Sequence, residues 1–145
     1  MSIHRRVAAA TAVLALAGGA AVPPASADPQ PTLGQAWTPN QDGYGMVRPA
    51  KVFNGGDPTG MIWDISWSSW GGERAEGTGT SYWEAPGAAV AESVSRPATI
   101  VAYNLGTCDG QLMYQAAKWY FPGEGESFDP RGHYNICTGD YVDAD

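Results

Sequence analysis

Alternation of apolar and polar positions is strongest between Met61 and Trp83. Trp63, Ile65 and Trp67 alternate with Asp64, Ser66 and Ser68, the period-two pattern of a half-buried strand. Ala75, Gly77, Gly79, Ser81 and Trp83 alternate in the same way with Glu76, Thr78, Thr80 and Tyr82. Between them Gly71 and Gly72 supply turn chemistry, since glycine takes positive φ without a Cβ penalty. The stretch therefore reads as a hairpin, and it holds four of the six tryptophans. A two-residue turn would put Glu76 opposite Trp67. A loop with an odd number of residues pairs 67 with 77 and 65 with 79. The indoles then lie over glycines, while Asp64, Ser66, Glu76, Thr78 and Thr80 share the wet face. A one-residue slip exchanges the two faces, so burial selects the odd loop. In that register Trp70 has the parity of the polar face and stands at the hairpin tip.

A second hairpin follows. Ala98 to Leu105 is continuously apolar or small, as a central strand is. Asp109-Gly110 is a strong two-residue turn signal, and Gln111 to Phe121 returns. The turn pairs Ile100 with Trp119 and Ala102 with Ala117 on one face, and Tyr103 with Ala116 and Leu105 with Tyr114 on the other. Tyr44 to Phe53 reads as an earlier strand, which Pro49 restricts to an edge or to two short pieces. Asn54 to Gly60, Pro86 to Pro97 and Pro122 to His133 are loops, the second with room for one helical turn. Tyr134 to Cys137 is a short last strand.

The N-terminus changes the picture of where the chain works. His4, Arg5 and Arg6 precede the alanine-rich apolar run Val7 to Val22, and Ala25-Ser26-Ala27 is an A-x-A cleavage site. A retained anchor is the competing reading, but this run is shorter and less apolar than a membrane span of roughly 20 residues. Residues 1–27 are thus expected to be a cleaved signal peptide, 28–36 a flexible leader, 37–142 a single β domain and 143–145 an acidic tail. The expected location is extracellular, with no membrane attachment after cleavage. Loss of Arg5 and Arg6 leaves six basic residues against fifteen acidic ones, a net charge of −9. Such a surface repels phosphate backbones and excludes nucleic acid as a partner. With 19 glycines, 11 prolines and no long helical period, the expected class is all-β: a small antiparallel sandwich or barrel of about six or seven strands. Two cysteines in an exported chain predict one disulfide, Cys108–Cys137. It closes a loop of about 29 residues, worth about 3–4 kcal/mol in the chain-entropy model.

Several strings resemble a group of small secreted actinobacterial proteins of unknown function. They are Gln41-Asp-Gly-Tyr-Gly, Pro49 to Gly60, Asp64 to Gly72, Gly106-Thr-Cys-Asp-Gly, Trp119-Tyr-Phe-Pro and Asn135 to Tyr141. The resemblance spans about Trp37 to Val142. It implies secretion and no particular activity.

The candidate chemistry is binding rather than catalysis. Exposed aromatics on a secreted β domain stack on sugar rings or bases, and the acidic charge favours sugars. Core packing is the stronger reading for Trp63, Trp67 and Trp119, which leaves Trp70, Trp83 and Tyr82 as candidate ligand contacts. Glu124 with Glu126, or Asp64 with Glu76, has the composition of a glycosidase acid and base. In a glycine-flanked loop both members of the first pair are expected to be solvated. His133 is the single histidine after cleavage and has no nucleophile motif near it, so no catalytic residue is assigned. Asn40/Asp42, Asn54/Asp57 and the 140–145 acids are oxygen-rich, as calcium requires, yet they are also ordinary turn chemistry. No metal or cofactor is expected. Three function classes follow: an extracellular non-enzymatic module binding polysaccharide, a protein-interaction module such as a protease inhibitor acting through the Pro86–Pro97 or Pro122–His133 loop, and a hydrolase with an unrecognised site.

Overall fold

The computed structural model describes residues 18–145. The basic n-region and most of the apolar run of the expected signal peptide lie outside the described residues. The described chain is all-β, with one six-stranded curled sheet and one two-stranded sheet. The large sheet has the order β1 (Thr32–Leu33), β6 (Gln111–Tyr120), β5 (Val94–Cys108), β4 (Ala75–Trp83), β3 (Met61–Trp67), β2 (Val52–Phe53). Strands β7 (His133–Tyr134) and β8 (Tyr141–Val142) form the small one. All pairs are antiparallel except β1 with β6. Single 3-10 turns at Pro58–Gly60, Val90–Glu92 and Pro122–Glu124 punctuate the loops.

The tryptophan hairpin forms with the odd register at its tip, where Trp67 pairs with Gly77 and Ser66 with Thr78. Trp67 lies over Gly77: a Cβ there would stand 3.1 Å from its ring. Further along, the expectation fails. Asp64 takes φ 53° and forms a bulge, so that Trp63 pairs with Thr80 and Ile62 with Ser81. The bulge reverses the alternation of everything before it. Ile62, not Trp63, enters the core, fully buried, and Trp63 emerges on the opposite face against Tyr82, 5.0 Å between ring centroids.

The second hairpin keeps every expected pair, from Thr99↔Tyr120 to Cys108↔Gln111. Asp109 and Gly110, both at positive φ, close it. The faces are another matter. Ile100, Ala102 and Tyr114 join the main core with Leu105 packed against it, while Tyr103 and Ala116 join Val101 in a small cluster on the other side. Leu105 and Tyr114 therefore leave the face expected for them. Asn104, at φ 56°, twists the strand between Tyr103 and Leu105.

Order also begins earlier than the leader reading placed it. Pro31 and Leu33 are fully buried, and Thr32–Leu33 is an edge strand on Met113 and Tyr114. The strand read over Tyr44 to Phe53 shrinks to Val52–Phe53, and the last strand lies at His133–Tyr134 with Tyr141–Val142 beside it. What recruits the peripheral pieces is the indole N–H. Trp67 Nε1 donates to the Pro49 carbonyl at 2.8 Å, and Trp70 Nε1 to that of Pro31 at 3.0 Å. Trp83 Nε1 donates to Glu126 Oε1 at 3.2 Å. Three tryptophans of one hairpin thus tether three separate segments. The expected disulfide is present, joining the hairpin tip at Cys108 to Cys137, with Cα atoms 6.0 Å apart.

Candidate functional site

The predicted contacts do not form a common site. Trp70 is half-buried, not an exposed platform: its ring meets Trp67 and Tyr114 edge-on at 4.6 and 5.2 Å. The bend at Gly71 (φ 93°) turns the tip over the core, which alternation along a straight strand does not anticipate. Trp83 packs against the main core. Tyr82 lies with Trp63 on the outer face of the sheet.

The aromatic concavity is elsewhere. Edge strand β1 covers only Met113 and Tyr114 of β6, so the β6 edge farther along is open. The chain from His133 to Val142 fills part of that gap. Ile136 N donates to Gln115 O at 2.8 Å, and Gln35 N to Ile136 O at 3.1 Å. Gln35 Nε2 donates to Cys137 O at 2.7 Å. Within this segment Asn135 Oδ1 accepts from Cys137 N and Thr138 N, at 2.9 and 3.2 Å. That tight turn brings β8 back onto β7 and sets Tyr134 against Tyr141, 5.2 Å apart.

On the opposite side, Gln41 Oε1 accepts from the backbone N–H of Trp37 (2.6 Å) and Thr38 (3.2 Å). The Trp37 indole is thereby fixed above Gly139, where a Cβ would lie 3.7 Å from its ring.

Between these walls lies a cleft of about 550 Å³, with Ala117, Lys118 and Trp119 contributed by β6. The volume is within the range of small-molecule sites, roughly 300–1,000 Å³. Five aromatics line it: Trp37, Tyr44, Trp119, Tyr134 and Tyr141. Trp37, Tyr134 and Tyr141 are 50, 65 and 55% exposed. Gln41, Asn54 and Asn135 add neutral amides. Among the described residues the indole N–H groups of Trp37 and Trp119 make no intramolecular hydrogen bond, unlike those of Trp67, Trp70 and Trp83. Tyr44 donates its hydroxyl to Asn54 Oδ1, and burial pushes its phenol up to about 12, keeping it a neutral donor.

His133 lines the cleft as well. Its ring is engaged: Nδ1 lies 3.0 Å from the Pro130 carbonyl, and Nε2 lies 3.4 Å from Asn104 Nδ2. A carbonyl only accepts, so Nδ1 carries the proton and Nε2 takes the amide donor. No Asp, Glu, Ser, Thr or Cys side chain shares the cleft lining with it.

Four of the carboxylates read as possible acid–base pairs or calcium ligands have other partners. Glu124 pairs with Arg96 at 2.8 Å, and Glu126 Oε2 accepts from Phe121 N at 3.0 Å. Asp42 pairs with Lys51 at 2.6 Å, and a hydrogen bond from that ammonium holds its carboxyl below the usual range. Asp57 Oδ1 caps the 3-10 turn through Thr59 N at 2.9 Å. Among the described residues no three His, Cys, Asp or Glu side chains converge as a metal site.

The Pro122–His133 loop lies flat on the sheet. Phe128 packs edge-on against Tyr103 at 5.2 Å, and the Tyr103 hydroxyl donates to Pro130 O at 3.0 Å.

Sequence reasoning placed Trp119 in the core, and it does pack against the main core while also lining the cleft. It missed Trp37, Tyr44, Tyr134 and Tyr141 as a group. Their shared signal is position: apart from Trp119, all stand in turn-rich segments where no alternating pattern buries them. The disulfide fits an oxidising, extracellular-type environment, and among the described residues no helix is long and apolar enough to cross a membrane. Comparison with protein-family models, with curated proteins and with solved structures finds no match.

Proposed function

We propose that this chain is a secreted, non-enzymatic carbohydrate-binding protein whose ligand occupies the cleft between Trp37 and the Tyr134–Tyr141 pair. The observation that carries the reading is that cleft, rimmed by three aromatic rings that remain substantially exposed, while the five other tryptophans are at least partly covered. Large exposed rings on a small domain incur a hydration cost that a stacking ligand removes. The free indole N–H of Trp37 and the amides of Asn54 and Asn135 offer directional partners for hydroxyl groups. A catalytic role has less support, because the one histidine in the cleft has both ring nitrogens engaged and no Asp, Glu, Ser, Thr or Cys lines the cleft with it. The protein-interaction reading loses the Pro122–His133 loop, which is bound to the sheet through Phe128. It retains the exposed loop around Val90.

The test is tryptophan fluorescence of the chain from Asp28, with iodide as quencher and a panel of soluble polysaccharide fragments as ligands. An iodide-accessible fraction that one sugar class protects, and that Trp37→Ala removes, supports the reading. Emission unchanged by every saccharide rejects it.

A further inference from the structure

Charge around the cleft is unlike charge on the rest of the molecule. Acidic side chains outnumber basic ones fifteen to eight in the full sequence, yet no Asp or Glu is among the residues lining the cleft. Three of the basic side chains already hold carboxylates: Lys51 with Asp42 at 2.6 Å, Arg96 with Glu124 at 2.8 Å and Arg131 with Asp129 at 2.8 Å. Arg74 lies over the Phe128 ring, 5.0 Å from its centroid. Lys118 is the lysine that lines the cleft. Its side chain leaves β6 on the Val101 face, opposite Trp119, and reaches the cleft at its rim. Among the described residues it has no ion pair. Its ammonium makes one hydrogen bond, to the Arg131 carbonyl at 2.8 Å, which places it at the rim beside Gly132 and His133. An ammonium has three donors, so two remain. Asp129 is the nearby carboxylate: Arg131 first, and Lys118 to a lesser degree, hold it below its usual range, but its hydrogen bonds go to Arg131 Nε, Nη2 and backbone N, at 2.9, 2.8 and 3.0 Å. An unpaired cation in an aromatic cleft free of carboxylates, on an acidic protein, calls for a negative charge on the ligand.

Resting on the carbohydrate reading above, we infer that the ligand is a carboxylate-bearing saccharide. Its ring faces stack on Trp37, Tyr134 or Tyr141, and its carboxylate accepts from Lys118 Nζ. One cation matches one negative charge per recognised sugar. A hexuronic acid and a lactyl-ether amino sugar both carry that group.

The test is calorimetric titration of the chain from Asp28 with matched pairs: an oligogalacturonide against its methyl ester, and a muramyl oligosaccharide against its lactyl amide. We expect one pair's acid form to bind about tenfold tighter than its neutral partner at low salt. The advantage should shrink as ionic strength rises. In Lys118→Gln the acid and neutral forms should bind alike, while Lys118→Arg keeps the preference. Which pair responds identifies the source of the carboxylate. Acid and neutral forms that bind equally to the unmodified chain overturn the inference and leave the cleft as a neutral-sugar site. So does a preference for a phosphodiester-linked glycan, or a preference that survives in Lys118→Gln. Absence of binding to all of these saccharides overturns the carbohydrate reading itself. The ester and amide arms test the charge on the unmodified chain, so the inference stays falsifiable even if Lys118→Gln does not fold.

Discussion

The β3–β4 hairpin and the cleft use the same residue type in opposite ways. In the hairpin, Trp67, Trp70 and Trp83 face the main core, and each N–H is committed to a segment distant in sequence: Pro49, Pro31 and Glu126. In the cleft, Trp37 and Trp119 retain free N–H groups, and Trp37 is half exposed. A ring buried on both faces contributes to stability; a ring held by its backbone and open on one face is available to a ligand. Aromatic content alone does not separate these roles, and neither does the indole N–H by itself: among the described residues Trp63 also donates no hydrogen bond, yet it stands on the outer face against Tyr82. Exposure together with a place in the cleft does.

Mutations sharpen that contrast. Among single substitutions the largest effect is expected in the hairpin: Trp70→Ala removes a ring packed against Trp67 and Tyr114 and leaves the Pro31 carbonyl unpaired. It should cost about 3 kcal/mol, read as a lower denaturation midpoint at unchanged slope. A cost below about 1 kcal/mol would refute the tethering role. Reduction of Cys108–Cys137 frees the wall that carries Tyr134 and Ile136. It should remove about 3–4 kcal/mol of stability and abolish ligand protection of the exposed tryptophan fraction before global unfolding is complete. Gly79→Ala ranks next. Its Cβ would stand 2.6 Å from the Trp63 carbonyl oxygen at the bulge, a backbone clash expected to cost about 1–3 kcal/mol. A melting temperature equal to that of the unmodified chain would contradict the bulge geometry.

Trp37→Ala and Tyr134→Ala should behave differently, shifting stability by no more than about 0.5 kcal/mol. The same substitutions should weaken saccharide binding by about tenfold or more, as loss of one stacking platform does. If either unfolds the domain, the two regions are not functionally separate.

A last effect concerns alkaline pH. Burial holds the phenols of Tyr44 and Tyr103 up to about 12 from an ordinary 10, and Asp129 adds to the shift at Tyr103. In the unfolded chain both ionise near 10, so between about 10 and 12 the unfolded state binds fewer protons than the native one. The stability these groups contribute is complete below 10 and is lost as pH rises through 12. Urea melts across this window should show the decline, and Tyr103→Phe should make it shallower.

The sequence by itself determined a good deal. Composition and turn signals sufficed for the all-β class, alternation for the Trp67–Gly77 register, Asp109-Gly110 for every pair of the second hairpin, and cysteine count for the disulfide. These are local facts, readable because strand pairing repeats every two residues and tight turns need particular backbone angles. Tertiary structure decided the rest. Left-handed residues at Asp64 and Asn104 reverse which side chains face inward, and neither Asp nor Asn announces that conformation in a strand. Trp70 changed role because the hairpin tip curls over Tyr114. The cleft was illegible for a simpler reason: Trp37 and Tyr44 stand far along the chain from Trp119 and Tyr134. Only the short reach of β1, the turn at Asn135 and the link from Cys108 to Cys137 bring them around one open strand edge.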